Sequence, residues 1–207
     1  MSRTLYIGDY ALSSWSLRPW LALTVGGVPF DTVVVPLDRP TTREAIGAVS
    51  PTGKVPALHA EGEVIWESLA ICEYAAELAP HLWPEDRASR AVARSVATEM
   101  HGGFPNLRAE HPMRLLDRTP KPPSPAVSAE LERIDALLGQ CRARSASGAF
   151  LFGTFGLADA MYAPVATRIR TYDLPVSDVV RDWMDAVLTH PAMREWERRA
   201  RAEAARG

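Results

Sequence analysis

Val55-Pro56-Ala57-Leu58-His59-Ala60-Glu61-Gly62-Glu63-Val64-Ile65-Trp66-Glu67-Ser68-Leu69-Ala70-Ile71-Cys72 decides how the first part of this chain folds. Val55 to His59 and Glu63 to Trp66 read as two short strands, because Ala60-Glu61-Gly62 between them has hairpin length and contains glycine. A helix from Ser68 to Leu78 follows, with Ser68 as its cap. Working upstream, Thr4 to Gly8 reads as a buried strand and Ser14 to Val25 as a helix closed by Gly26-Gly27. Phe30 to Leu37, with Val33, Val34 and Val35 in a row, reads as a second strand. Thr42 to Val49 forms a short helix that ends before Pro51. The predicted order is βαβαββα. Its leading βαβ unit calls for a partly parallel sheet covered by helices.

Downstream the pattern changes. Ala79-Pro80-His81-Leu82-Trp83-Pro84 reads as a linker, and everything after it is helical. Ala88 to about Ala109 is predicted as one long helix, bent near Gly102-Gly103 and Pro105. A proline-rich connection from Thr119 to Pro125 leads to a helix over Val127 to Arg144, with Leu131, Ile134, Leu137 and Leu138 at helical spacing. Further helices are expected over Leu157 to Arg170, Ser177 to Leu188 and Pro191 to Ala205. In the last of these, Glu195-Trp196-Glu197-Arg198-Arg199 reads as a solvated face. The expected organisation is an α/β domain over residues 1–79, a linker over 80–87 and an all-α domain over 88–207.

Composition narrows the function. Of 207 residues, 47% are hydrophobic and 23% charged, which suits a globular chain and not a disordered one. A formal net charge of -2 gives no basic excess for nucleic acid or an anionic membrane. Cys72 and Cys141 alone build neither a disulfide framework nor a zinc site, and a reducing cytoplasm is the expected location. The opening Met1 to Tyr6 carries no apolar stretch behind a basic start, so no secretory signal is expected. No apolar run approaches the roughly 20 residues of a membrane span. The histidines, His59, His81, His101, His111 and His190, are scattered, and no metal is expected. Gly47 to Lys54 looks superficially like a phosphate-binding loop. It has five residues between its glycines where four are needed, and Val55 stands where a magnesium-binding hydroxyl belongs. GxSxG, GxGxxG and HExxH do not occur.

Three features carry chemistry. Ser13-Ser14-Trp15-Ser16 lies between the first strand and the first helix, where hydroxyls and free N–H groups stabilise an anion, a thiolate included. Ser50 to Leu58 sets Pro56 at the start of a short strand. A proline there suits a sheet edge or a cis bond, and either leaves the backbone before it free to pair with an extended ligand. Trp66-Glu67-Ser68 ends a strand and opens a helix. The Ser68 hydroxyl and the first N–H groups can grip a carboxylate, while Glu67 can take an ammonium. Helix capping or an ordinary turn accounts for each signal alone. Their order within βαβαββα is what makes them specific.

In these segments the chain resembles the cytosolic glutathione transferase family, over nearly its whole length. The Ser-Ser-x-Ser opening is most similar to the zeta-type and related bacterial branches. Ser50-Pro51-Thr52-Gly53-Lys54-Val55-Pro56 is similar to the stretch leading to the family's cis-proline, and Glu67-Ser68-Leu69-Ala70-Ile71 to its γ-glutamyl-binding turn. Phe152 to Asp159 is similar to the motif that starts a buried helix, except that Gly156 stands at the usual Ser or Thr cap. Some loss of stability is expected from that exchange, with Asp159 still serving the helix start.

The resemblance implies a thioredoxin-like first domain, an all-helical second one, a cytoplasmic homodimer and a detoxifying transferase. Glutathione would be co-substrate, with no metal, nucleic acid or membrane involved. By the same resemblance Ser13 donates to the thiolate, with Ser14, also in the glutathione site, as its close rival. Tyr6 and Tyr10, before the helix, are not excluded. Lowering a thiol pKa from ~8.5 by about 2 units takes about 2.7 kcal/mol, which a charge-assisted hydrogen bond and a helix N-terminus can share. Val55, before Pro56, would pair with the cysteinyl backbone. Glu67 and Ser68 would hold the γ-glutamyl end, and Lys54 the glycyl carboxylate, with Arg39 and Arg43 within reach. Trp15 and Phe104 are expected as apolar walls of the second-substrate site, with His101 and Arg108 meeting an acidic or electrophilic group. Thiol transfer leads the expected activities. A maleyl-type cis–trans isomerase, suggested by Asn106-Leu107-Arg108, and a non-catalytic binding module are the alternatives.

Overall fold

The structure is a computed structural model that describes residues 2–145 and 147–206; Met1, Ala146 and Gly207 lie outside the described residues. Four strands, β1 (Thr4–Ile7), β2 (Asp31–Val34), β3 (Ala57–Ala60) and β4 (Glu63–Trp66), form one sheet in the order β2-β1-β3-β4. β1 pairs with β2 in parallel, Thr4 opposite Asp31, and with β3 antiparallel, Leu5 opposite Leu58; β3 and β4 form a hairpin. Helices α1 (Ser14–Val25), α2 (Thr42–Gly47) and α3 (Ser68–Leu78) complete the βαβαββα order of a thioredoxin-like fold. β2 is shorter than the predicted Phe30 to Leu37. Its partner β1 has only four residues, the last ladder bond runs from Val35 N–H to the Ile7 carbonyl, and Pro36 has no N–H to continue it.

A short 3₁₀ turn at Pro80–Leu82 leads to α4 (Arg87–Gly102), α5 (Pro105–Glu110), α6 (Pro125–Ala143), α7 (Leu157–Tyr172), α8 (Asp178–Thr189) and α9 (Pro191–Ala204). The long bent helix expected over Ala88 to Ala109 is two helices. Phe104 sits in the left-handed region at φ 61, and Pro105 supplies no N–H and starts α5. Both new ends are capped from outside. The Glu130 carboxylate accepts from Asn106 N–H at 3.1 Å and Leu107 N–H at 2.7 Å. Arg108 donates to the Gly103 carbonyl at 2.9 Å and to that of Met100.

α7 is the centre of the molecule: every residue except Arg170 is buried. Asp159 in its first turn accepts from Gly156 N–H at 2.9 Å, Leu151 N–H at 3.0 Å and Trp183 Nε1 at 2.8 Å. The glycine at the α7 cap has a steric cause. A Cβ on Gly156 would lie 2.9 Å from the Leu82 carbonyl oxygen, so the expected penalty for lacking Ser or Thr is replaced by a close approach that only glycine permits.

The two domains pack through α1, which touches both α3 and α7. From the far end of the chain, α9 seals the loop after β1. Trp196 Nε1 donates to the Tyr10 carbonyl at 2.8 Å, and Tyr10 N–H donates to Glu203 at 2.8 Å. The run Glu195 to Arg199 is therefore not all solvated. Trp196 is fully buried against Tyr10 and Trp20, because α9 is amphipathic and turns that position inward.

Candidate functional site

A cleft of about 300 Å³ is lined by Trp15, Thr52, Lys54, Val55, Pro56 and Glu67. Three loops from different parts of the sequence meet there. The first ends in the Val55-Pro56 peptide, which is cis. β3 begins only at Ala57, and the Val55 N–H and carbonyl have no hydrogen-bond partner among the described residues. An extended backbone laid beside Val55 would find a donor and an acceptor waiting.

The second loop joins β4 to α3. Glu67, not Ser68, is the N-cap residue, and it adopts φ 68, ψ 131. That left-handed backbone lets the chain turn sharply from strand to helix. Ser68 is the first helical residue and makes no capping bond, correcting its expected role. Its Oγ is buried without a partner, beside the unbonded N–H groups of the first helical turn. That set of donors suits a carboxylate. The Glu67 carboxylate stays half exposed, 3.9 Å from His101 Nε2. Lys54 is exposed at the cleft, while Arg39 and Arg43 are exposed outside its lining.

The third loop starts α1. Ser13 is its N-cap residue, yet its hydroxyl donates to Ser16 Oγ at 2.7 Å instead of capping; Ser16 Oγ also accepts from Gly8 N–H at 3.1 Å. Ser14 Oγ accepts from Arg168 Nη2 at 3.5 Å, so its own proton is not spent on that contact. Both serines are buried beside the cleft-lining Trp15. Tyr10 is removed from the site, since its ring packs on Trp196 and its hydroxyl accepts from Arg199. Tyr6 packs on His59 at 4.7 Å.

Of the residues expected around a second substrate, Trp15, His101 and Arg108 come together. Trp15 lies 5.4 Å from the His101 ring and 4.7 Å from the Arg108 guanidinium. Phe104 does not join them. It is buried and packs against Tyr162, because its left-handed backbone turns the ring inward. Burial, then the nearby Arg18, lowers the His101 pKa, against a smaller opposing pull from Glu67. Burial likewise lowers that of Arg108.

Sequence reasoning missed Arg18, Arg168 and Tyr162, all buried at this junction. Arg168 donates to the His111 carbonyl at 2.8 Å and the Pro164 carbonyl at 3.2 Å, and burial lowers its pKa to about 9. For Arg18 the available signal was a single charge inside an otherwise apolar stretch, Leu17-Arg18-Pro19-Trp20; Arg168, beside Thr167 and two residues before Arg170, carried no such signal. A larger cleft of about 440 Å³ lies elsewhere, between the linker and the start of α7; the one acid buried beneath it, Asp159, already has its donors.

The chain matches the family described as glutathione S-transferase, N-terminal domain, over residues 12–78, and glutathione S-transferase, C-terminal domain, over residues 124–199. It is 33% identical over 112 residues to a probable maleylacetoacetate isomerase of Caenorhabditis elegans, covering 53% of this chain and 52% of that protein. To the maleylacetoacetate isomerase of Rattus norvegicus it is 26% identical over 177 residues, 82% of this chain and 80% of that one. This chain thus spans about half the length of the first relative and four fifths of the second. Among solved structures, a glutathione transferase homolog from Burkholderia GL BGR1 with bound glutathione superposes with a TM-score of 0.74 at 22% identity, covering 98% of this chain and 99% of that one. A diazinon-metabolizing glutathione S-transferase of the silkworm Bombyx mori gives 0.75 at 21%, covering 98% of each. At such identities these two structures speak for the fold alone.

Proposed function

Since the chain belongs to the glutathione S-transferase family, we propose that it binds glutathione in the Val55–Glu67 cleft and transfers its thiolate to a small electrophile. The observation that carries this reading is that the free Val55 backbone and the half-exposed Glu67 carboxylate line one cleft, with the buried, unpartnered Ser68 hydroxyl next to Glu67 at the α3 N-terminus. The cysteinyl backbone of glutathione pairs with Val55 beside Pro56. Its γ-glutamyl carboxylate takes the Ser68 hydroxyl and the α3 N–H groups, its ammonium takes Glu67, and Lys54 faces the glycyl carboxylate.

The thiol then lies at the α1 N-terminus, where it loses its proton to solvent through the open cleft. A hydroxyl donates to the sulfur anion, and the sulfur attacks the electrophile, whose leaving group departs with the bonding pair. Ser13 serves as donor once its hydroxyl turns from Ser16 to the sulfur; Ser14, whose proton is not used by Arg168, is its rival. The residues beyond the linker close the far side, with Trp15, His101 and Arg108 facing the electrophile.

Ser13→Ala should lower kcat by up to about 10²–10³, as expected for loss of a preorganised donor to an anion, and should raise the thiol pKa of bound glutathione while changing its affinity less. Thiolate absorbance against pH, in wild type, Ser13→Ala and Ser14→Ala, reads this directly. A shift in Ser14→Ala alone would move the role one residue along, and a shift in neither would remove the hydroxyl mechanism. Absence of glutathione binding by calorimetry at millimolar concentration would overturn the whole reading.

A second reading is glutathione-dependent cis–trans isomerisation of a maleyl-type acid. It is favoured by Arg108 and His101, both packed against Trp15, and by the isomerase relatives. An activity screen with maleylpyruvate against aryl halides separates the two. We further propose a cytoplasmic homodimer, the first domain of one copy against the helical domain of the other. The exposed Trp66 and Leu78 of the first domain support such a contact, and sedimentation at high concentration tests it.

A further inference from the structure

Arg18 is the most anomalous charge in the molecule. It is fully buried on α1, and Nε, Nη1 and Nη2 all lack a hydrogen-bond partner. Around it stand other unspent donors: Arg108 Nη1, the Tyr162 hydroxyl and His101 Nδ1 are buried and unpartnered as well. These groups come from α1, α4, α5 and α7, and they are close enough to shift one another's ionisation. Among the described residues no carboxylate forms a hydrogen bond with Arg18. Glu99 is held by Arg133, Glu130 by the start of α5, and Glu67 faces His101 from the open cleft. Arg168 adds positive charge and spends its own donors on His111, Pro164 and Ser14.

The face of Trp15 is the group that the two guanidiniums share. Its ring lies 4.4 Å from the Arg18 guanidinium carbon and 4.7 Å from that of Arg108, in cation–π range of both. The same ring lines the cleft, so its displacement would open the guanidiniums to whatever the cleft admits.

We propose that Arg18, Arg108 and Tyr162 form an anion-binding pocket beneath Trp15, at the junction of the two domains, that takes a small carboxylate in place of the indole face. A carboxylate matches the fork of a guanidinium and has lone pairs enough for the phenol as well. The pocket shares Trp15 and Arg108 with the proposed electrophile site but none of the groups assigned to the carboxylates of glutathione, and a test without glutathione separates its failure from that of the transferase reading.

The test uses the full chain without glutathione and sodium acetate as the probe, with acetamide as the neutral control. Acetate should raise the thermal midpoint of the wild type by several degrees where acetamide does not, and should change tryptophan emission in a way lost in Trp15→Phe. Arg18→Met removes an uncompensated buried charge while keeping the bulk. It should therefore melt higher than wild type in the absence of acetate and bind acetate at least tenfold more weakly. An Arg18→Met protein that is unfolded or melts lower would overturn the proposal, as would an acetate response equal in the two proteins or absent from the wild type. A response lost in Ser68→Ala but kept in Arg18→Met would assign the anion to the α3 N-terminus and equally overturn it.

Discussion

Asp159 and Arg18 are buried to the same degree, one at the start of α7 and the other on α1 beside it. The acid has two backbone N–H groups and an indole N–H aimed at its two oxygens. The base has three nitrogens and no acceptor. A buried charge costs several kcal/mol unless its surroundings supply partners. At Asp159 the chain supplies them from three separate segments, and the charge ties the loop at Leu151 and the Trp183 side chain of α8 to the central helix. At Arg18 the chain supplies only a neighbouring ring. The pair teaches that burial alone does not say whether a charge builds a fold or serves a ligand; the partner count does.

That contrast breaks most sharply at Asp159→Ala. Three buried donors lose their acceptor, and each orphan carries a penalty of roughly 1–3 kcal/mol. A loss of about 4 kcal/mol is expected, on the order of 10 °C in Tm for a chain of this size. A drop of a degree or two would mean that the satisfied charge is no more structural than the unsatisfied one. Gly156→Ser is next. The hydroxyl would be a better cap, but the new Cβ meets the Leu82 carbonyl, and overpacking should win by about 1–2 kcal/mol in denaturant midpoint. Glu130→Gln tests an intermediate case, a half-buried carboxylate with two backbone donors at α5. It should cost about 1 kcal/mol, since one amide oxygen remains to accept.

A pH dependence follows from the burial of Asp159; at about 1.4 kcal/mol per pKa unit it amounts to about 3 kcal/mol, between the Asp159→Ala and Gly156→Ser effects. Burial raises the Asp159 pKa to about 6 from an ordinary 3.8, so between those values the folded chain holds a proton that the unfolded chain has released. Its contribution to stability is therefore full below about pH 4 and is lost as pH rises to about 6. Glu195, held down near 2 by its hydrogen bonds to Arg198 and Arg199, works in the opposite sense over a lower window, between about 2 and its ordinary 4.5, so it overlaps the Asp159 window only below pH 4.5. Denaturation of wild type and Asp159→Asn at pH 4.5 and 6.5 isolates the component; an equal slope in both would remove it.

Elements bounded by local chemistry were legible in the sequence. Ser14–Val25 ends at paired glycines, Glu63–Trp66 follows a glycine turn, and Ser68–Leu78 runs into Ala79-Pro80, and each is read to its last residue. The break after Gly102 was marked by two glycines and a proline, but the left-handed turn at Phe104 that converts a bend into two helices is a tertiary outcome, bought with caps from Glu130 and Arg108. In the cleft, Val55-Pro56 and Glu67-Ser68 were legible as motifs. Which of Ser13 and Ser14 keeps a free proton was not, because the answer depends on Ser16 and on Arg168, more than 150 residues away. Arg18 escaped because an arginine in a helix is ordinarily solvated, and only the packing of α1 between α3 and α7 removes it from water.

The stitch between Tyr10 and α9 has a practical consequence. The loop that opens α1 is pinned on its N-terminal side by Trp196 and Glu203, so the first domain does not own its serine loop outright. Cutting the chain after α3 would keep the sheet and all three lining loops in sequence, yet would strip that loop of its outer clamp. The same holds for a shortened C-terminus: removing the last turn of α9 takes Glu203 with it. Where the polypeptide can be divided and where the site can be divided are different places, and anyone trimming, tagging or fusing this protein should count Glu203 among the residues to keep.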